Sequence, residues 1–218
     1  TTGSFTSIVG GCKNVIDEFG CYSTIIGGNS NYTNGAYSLI GGTSNSVEGF
    51  YNTILNGSLN KHLTQKGCYS TILGGYSSSM EIGWYSTILG GEGHFMCLPQ
   101  WSTVIGGMNH LVDQSCYSTV LGGYNNCLIG GQNSVIGGCE NLISSGVQES
   151  AILTGKNNCI FGNGLTGSGT WIGGGQNHEL CFSDGTTLLG GESNFITGSH
   201  QSLIGGGYLN IIRKTTDD

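Results

Sequence analysis

The side chains that could do chemistry are few, and their spacing suits none of the usual reactions. Thirteen carboxylates, six lysines and arginines and five histidines are spread over 218 residues. Asp17/Glu18 and Asp217/Asp218 are neighbours in sequence, and adjacent acids do not face each other across a bond as an acid/base pair must. Glu48, Glu81, Glu92, Glu140 and Glu192 stand alone and read as solvated turn residues. Ser168, inside Gly167–Gly169, belongs to a glycine loop and not to a nucleophile elbow. Gly173-Gly174-Gly175 lacks the lysine of a phosphate loop. Nine cysteines (Cys12, Cys21, Cys68, Cys97, Cys116, Cys127, Cys139, Cys159 and Cys181) contain no C-x-x-C pair, so nothing indicates zinc or a dithiol redox motif. Cys21, Cys68 and Cys116 share one repeat position. They read either as buried apolar thiols or as partners in disulfides between chains. The chain is expected not to be an enzyme and to need no cofactor or metal.

Charge excludes further classes. A net charge of −7 with six cations gives no basic patch, so no nucleic acid is expected as a partner. No apolar run reaches the length of a membrane span, so no membrane insertion is expected either.

Whatever the chain does, a repeat must position it. Tyr22–Asn31 reads Tyr-Ser-Thr-Ile-Ile-Gly-Gly-Asn-Ser-Asn, and thirteen related copies follow one another with a mean period of about 16 residues. Regular repetition of this kind is the mark of a solenoid. Each copy holds two short apolar segments rich in β-branched residues, too short for helices, with glycine turns between them. The reading is all-β: a parallel β-solenoid of about 13 two-stranded coils over residues 1–212, with a polar tail at 213–218. The chain opens on Thr1 and is expected to be a piece of a longer precursor.

The two residues before each glycine pair are apolar in every copy. They include Ile25/Ile26, Ile72/Leu73, Ile88/Leu89, Val104/Ile105 and Val120/Leu121. Neighbouring strand residues point to opposite faces, so one of each pair fills the coil and the other leaves it. A row of exposed aliphatics that long exceeds what a soluble monomer shows. The expectation is burial against further copies of the chain, as a homotrimer.

Two ladders accompany this stripe. Asn14, Asn31, Asn45, Asn60, Asn126, Asn141, Asn158, Asn177 and Asn194 each follow the first glycine, or its equivalent, by four residues, with His94 and His110 in the same slot. Stacked amides can join coil to coil. Phe5, Tyr22, Tyr51, Tyr69, Tyr85, Trp101 and Tyr117 precede it by five; the third copy interrupts with Ala36 in the slot and Tyr37 one place late. These aromatics either brace neighbouring coils or present a stripe to glycans. Gly93–Gln100, Asn126–Gly138 and Asn163–Gly169 depart from the pattern and are expected as projecting loops.

The Tyr-Ser-Thr-Ile-Ile-Gly-Gly-x-x-Asn copies resemble the glycine-rich repeat of phage tail-fibre and giant-virus fibre-like proteins. They are similar in style to the left-handed β-roll of trimeric autotransporter adhesin heads. The resemblance spans Phe5 to Ile212. It implies left-handed coils, a trimer, and a structural or adhesive role on a virion or cell surface, with host glycan as the ligand class. A second reading is a monomeric ice-binding solenoid, since Ser-Thr pairs such as Ser86-Thr87 and Ser102-Thr103 set one hydroxyl per coil on a face. A β-helical glycan hydrolase is disfavoured, because such narrow coils leave no groove.

Overall fold

The computed structural model describes residues 3–63, 68–162 and 168–214. Most of the Asn163–Gly169 insertion and residues 215–218 of the expected tail lie outside them. Among the described residues the fold is all-β: a parallel β-solenoid of about 13 coils, with 26 strands each two or three residues long. It divides into two compact units, 1–109 and 110–218.

In the first unit, strands from Ser7–Ile8 to Thr103–Val104 form one sheet (sheet 1), and strands from Val15–Ile16 to Phe95–Cys97 form the facing one (sheet 2). Each strand pairs in parallel with its counterpart in the next coil. Thr87 lies opposite Thr103 and Ile88 opposite Val104; Met80 lies opposite Met96. The second unit repeats the plan, with sheet 1 running from Thr119–Val120 to Leu203–Ile204 and sheet 2 from Leu111–Asp113 to Ile211–Arg213. Arg213, assigned by sequence to the polar tail, closes the last strand.

The interior takes one side chain from each sheet per coil. Ile25, Ile40, Ile54, Ile72, Ile88 and Val104 from sheet 1 meet Ile16, Thr33, Val47, His62, Met80 and Met96 from sheet 2, all buried. The second unit is filled the same way by Val120, Val135, Ile152, Ile172, Leu188 and Ile204 against Val112, Leu128, Ile143, Ile160, Leu180 and Ile196.

The turns are held by side-chain amides. Asn31 donates from Nδ2 to the Gly27 carbonyl (3.0 Å) in its own coil and to the Gly42 carbonyl (2.7 Å) in the next. Its Oδ1 accepts the N–H of Asn45 at 3.0 Å. Asn45 does the same for Asn60 at 2.9 Å. Each amide thus pairs with three turn groups; for Asn31 one of these, the Gly42 carbonyl, also accepts the Asn29 N–H. Gly28, at φ +94°, makes this possible, because a Cβ there would strike the Gly42 carbonyl oxygen. A second corner uses hydroxyls: the N–H of Ser38 donates to Ser23 Oγ at 2.9 Å and that of Ser102 to Ser86 Oγ at 3.2 Å.

Two expected loops are regular coil. Within Gly93–Gln100, Phe95–Cys97 is a strand and Met96 is wholly buried beside Met80. Within Asn126–Gly138, the strands Cys127–Ile129 and Ser134–Val135 are joined by a tight turn through Gly130 and Gly131. Truncating Ile88, stacked between Ile72 and Val104, should cost about 2–5 kcal/mol. Urea unfolding of Ile88→Ala checks this, and a change below about 1 kcal/mol would mean the interior is not close-packed there.

Candidate functional surfaces

The first surface is the aromatic corner. Phe5, Tyr22, Tyr37, Tyr51, Tyr69, Tyr85 and Trp101 stack in one column, with ring centroids 4.6–5.5 Å apart and planes within 10° of parallel. Tyr37 is a full member, although spacing from the glycine pair puts Ala36 in its place. The third coil is one residue shorter between Ile40 and Gly42 than its neighbour between Ile25 and Gly28, so counting back from glycine lands one residue early. All seven residues hold φ between 50° and 60°, a left-handed backbone that costs a bulky side chain roughly 1–2 kcal/mol. Parallel stacking offsets part of this, and the register is locked by backbone bonds such as Tyr37 N–H to the Cys21 carbonyl at 2.9 Å. Tyr117 occupies the same corner in the second unit at φ 54°, where Glu149, Gly169, Gly185 and Gln201 follow it.

Stacking decides what this ridge can offer. Each inner ring has both faces covered by the next ring, so edges and hydroxyls point outward. The Tyr69 hydroxyl is held above its ordinary pKa by desolvation first, then by Tyr51, Tyr85 and Cys68.

The second surface is the outer face of sheet 1. Its first column reads Ser7, Thr24, Leu39, Thr53, Thr71, Thr87 and Thr103 in the first unit. Two residues on, the second column reads Val9, Ile26, Gly41, Leu55, Leu73, Leu89 and Ile105. Ile26, Leu73, Leu89 and Ile105 are 40–50% exposed, whereas their neighbours Ile25, Ile72, Ile88 and Val104 are fully buried. In the second unit Val120 is buried and Leu121 exposed in the same way. Where the first column carries a large apolar residue, the second carries glycine: Leu39 with Gly41, Trp171 with Gly173, Leu203 with Gly205. Every coil therefore offers one large and one small residue. None of these 26 positions is charged, whereas the outer face of sheet 2 carries Asp17, Glu48, Lys61, Glu81, Asp113, Glu179 and Arg213.

The amide slot holds Asn14, Asn31, Asn45 and Asn60 in the first unit, then Ser78 and His94. In the second unit it holds His110, Asn126, Asn141, Asn158, His178, Asn194 and Asn210. Asn177, placed in the ladder by spacing, is instead an exposed turn residue at φ 57°. The run Gly173–Gly175 begins one residue early, and His178 takes the slot. Its Nδ1 accepts the N–H of Asn194 at 3.2 Å. Its Nε2 faces the carbonyls of Gly174 and Gly191, without full hydrogen-bond geometry. Burial lowers the pKa of His94 and His178, which fits neutral spacers.

His62 is a titratable core side chain that sequence reading leaves unremarked. It points into the core between Val47 and Met80, fully buried. Asn52 Nδ2 (3.2 Å) and the Glu48 carbonyl (3.3 Å) approach its Nδ1, and its Nε2 has no partner. Burial lowers its pKa to about 4.

No two of the nine cysteines are joined by a disulfide within the chain. Burial pushes Cys127 and Cys159 up, and Cys181, which also donates to Glu179 at 3.1 Å, is pushed up to about 12. These three stay protonated at neutral pH and make poor nucleophiles. Among the described residues, no group of three or more His, Cys, Asp or Glu could hold a metal ion. Of the two glycosylation-type sequons, Asn31-Tyr32-Thr33 spends its amide inside the ladder and Asn56-Gly57-Ser58 is exposed at Asn56. No family model and no curated protein matches the chain.

Two predictions follow from the stacked corner and the buried ring. Tyr51→Ala should destabilise by about 1–3 kcal/mol through lost stacking, and Tyr51→Gly by about 1 kcal/mol less, because glycine carries no left-handed penalty. Thermal melts of the two variants check the order; equal melting would show that the backbone there is unstrained. For His62, the folded chain binds fewer protons than the unfolded one. Stability is complete above about pH 6.5 and declines as pH falls toward 4, by about 3 kcal/mol in full. Met occupies the next two coils at this position, so His62→Met should fold and should remove that part of the acid sensitivity in urea titrations at pH 7 and pH 4.

Proposed function

We propose that the chain is a structural and adhesive fibre segment, assembled as a homotrimer through the outer face of sheet 1, with left-handed coils, on a virion or cell surface. One observation carries the reading: a face with one large apolar side chain in every coil and no charge at any position. Covering such a face removes apolar area from water at about 25 cal/mol per Å². A second copy of the same face meets it without like-charge repulsion, whereas a charged partner would find nothing to pair with. The role is mechanical, without catalysis or cofactor. Glycan contact at Tyr22, Tyr51, Tyr69 and Tyr85 would run through hydroxyls and ring edges, since the ring faces are occupied.

A second reading rests on Thr53, Thr71, Thr87 and Thr103, which lie opposite one another in successive strands of that face. Hydroxyls repeating at the strand spacing of about 4.8 Å beside aliphatic groups are also what an ice-binding surface needs. Light scattering separates the two. The fibre reading expects a mass near three chains, reduced to one chain by Leu73→Lys with Leu89→Lys while circular dichroism stays unchanged. A wild-type monomer that produces thermal hysteresis would replace it with ice binding.

A further inference from the structure

We propose that a notch over Ala36 is a binding site for a small quaternary ammonium group, chemistry of the choline type. This is independent of the fibre reading. Beside the tyrosine ladder runs a column made of Cys21, Ala36, Phe50, Cys68, Trp84 and Gln100. Its register is set by the Tyr37 N–H on the Cys21 carbonyl, the Tyr51 N–H on the Ala36 carbonyl, and the bridges from Phe50 to Gln100. Ala36 is the smallest member, so one rung of the column is empty. The floor cannot fill it, because a Cβ on Gly35 would strike the Gly49 carbonyl oxygen. The preceding coil is two residues longer between its sheet-2 strand and its tyrosine, and the extra turn carries Phe19. The result is a cleft of about 290 Å³ lined by Phe19, Asn34, Gly35, Ala36, Gly49 and Phe50. Phe19 is 64% exposed and Phe50 46%.

Three features select the ligand. Phe19 and Phe50, unlike the rings of the ladder, have no stacked neighbour among the ring contacts of the described residues, which leaves their faces available to a cation. The surroundings are acidic: Asp17 and Glu18 immediately precede Phe19, and Glu48 precedes Gly49. Lys61, the basic residue on the sheet-2 face of this unit, lies in the column opposite Ser46, not in that of Glu48. Finally, the lining has one polar side chain, Asn34, which faces the Tyr32 hydroxyl, itself a donor to Asp17 at 3.0 Å. A sugar would leave most of its hydroxyls without partners there, and an anionic ring would be repelled. A methylated ammonium needs no hydrogen bond, presents an apolar skin to the phenyl rings and carries the complementary charge. The volume lies at the small end for ligand sites, which suits one head group.

The test is ligand-observed NMR on the full chain with choline and with its neutral carbon isostere 3,3-dimethyl-1-butanol. Saturable choline binding is expected, at least 10-fold tighter than the isostere and weakened by salt. Phe50→Ala should reduce it at least 10-fold. Ala36→Phe, which supplies the missing rung, should abolish it without lowering the melting temperature. Phosphatidylcholine vesicles distinguish a lipid source from the free compound, and the phosphate beside the ammonium should make them bind less well than choline. Absent choline binding, equal binding of the isostere, or unchanged binding in a folded Ala36→Phe variant each overturns the site.

Discussion

Everything in this molecule depends on how closely one coil sits on the next. Parallel strands stack about 4.8 Å apart, and the turns follow at the same pitch through single backbone bridges such as Asn29 to Thr43 and through side chains. The Asn31 amide shows how this is met: two carbonyls from two coils and one N–H from the next converge on one side chain. Remove the amide and the Gly27 carbonyl and the Asn45 N–H lose their partners, each at a cost of about 1–3 kcal/mol, while the Gly42 carbonyl keeps the Asn29 N–H. The glycine at Gly28 is the other half of the same constraint, since the Gly42 carbonyl occupies the space where its side chain would be.

Close stacking turns sequence position into columns. Because coil follows coil in strict register, a residue type repeated at one place becomes a continuous surface feature. Amides become a rail inside one corner and tyrosines become a ridge on another. Threonines and aliphatics become two parallel rows on a flat face. The substitutions in each column are then informative. His110 and His178 keep the amide rail going with an imidazole, whose Nδ1 accepts the next N–H at 3.2 Å. His62 has no such excuse in its column, where Val47 and Met80 flank it. Its neutral ring ties the stability of that coil to pH.

The coil count, the strand pairs and most of the amide rail are legible in the sequence because the glycine pair is a reliable landmark. The landmark fails where a coil alters the distance between strand and glycine. Tyr37 drops out of the aromatic ladder that way, and Asn177 displaces His178. The pairing of Leu39 with Gly41 and Trp171 with Gly173 stays hidden for the same reason, since glycine is then read only as a turn. Gly93–Gln100 looks irregular because it has the only proline and a methionine. In the fold, Met96 is simply the interior residue of its coil. The notch at Ala36 cannot be read from the local sequence, as it needs the lengths of two successive turns to be compared.

The large-for-small exchanges bear on what covers the flat face. A crystal lattice of water meets a protein through repetition, so an ice-binding face is weakened by any coil that breaks the pattern. Folded side chains meet a face through volume, because packed interfaces approach the density of protein interiors. Leu39 beside Gly41, Trp171 beside Gly173 and Leu203 beside Gly205 break the repetition of the threonine column and leave each coil with its one large and one small residue. Trp171 is the most telling, since an indole half exposed in a threonine row ruins flatness. A surface that gives up periodicity while keeping volume favours the proposed assembly over ice binding.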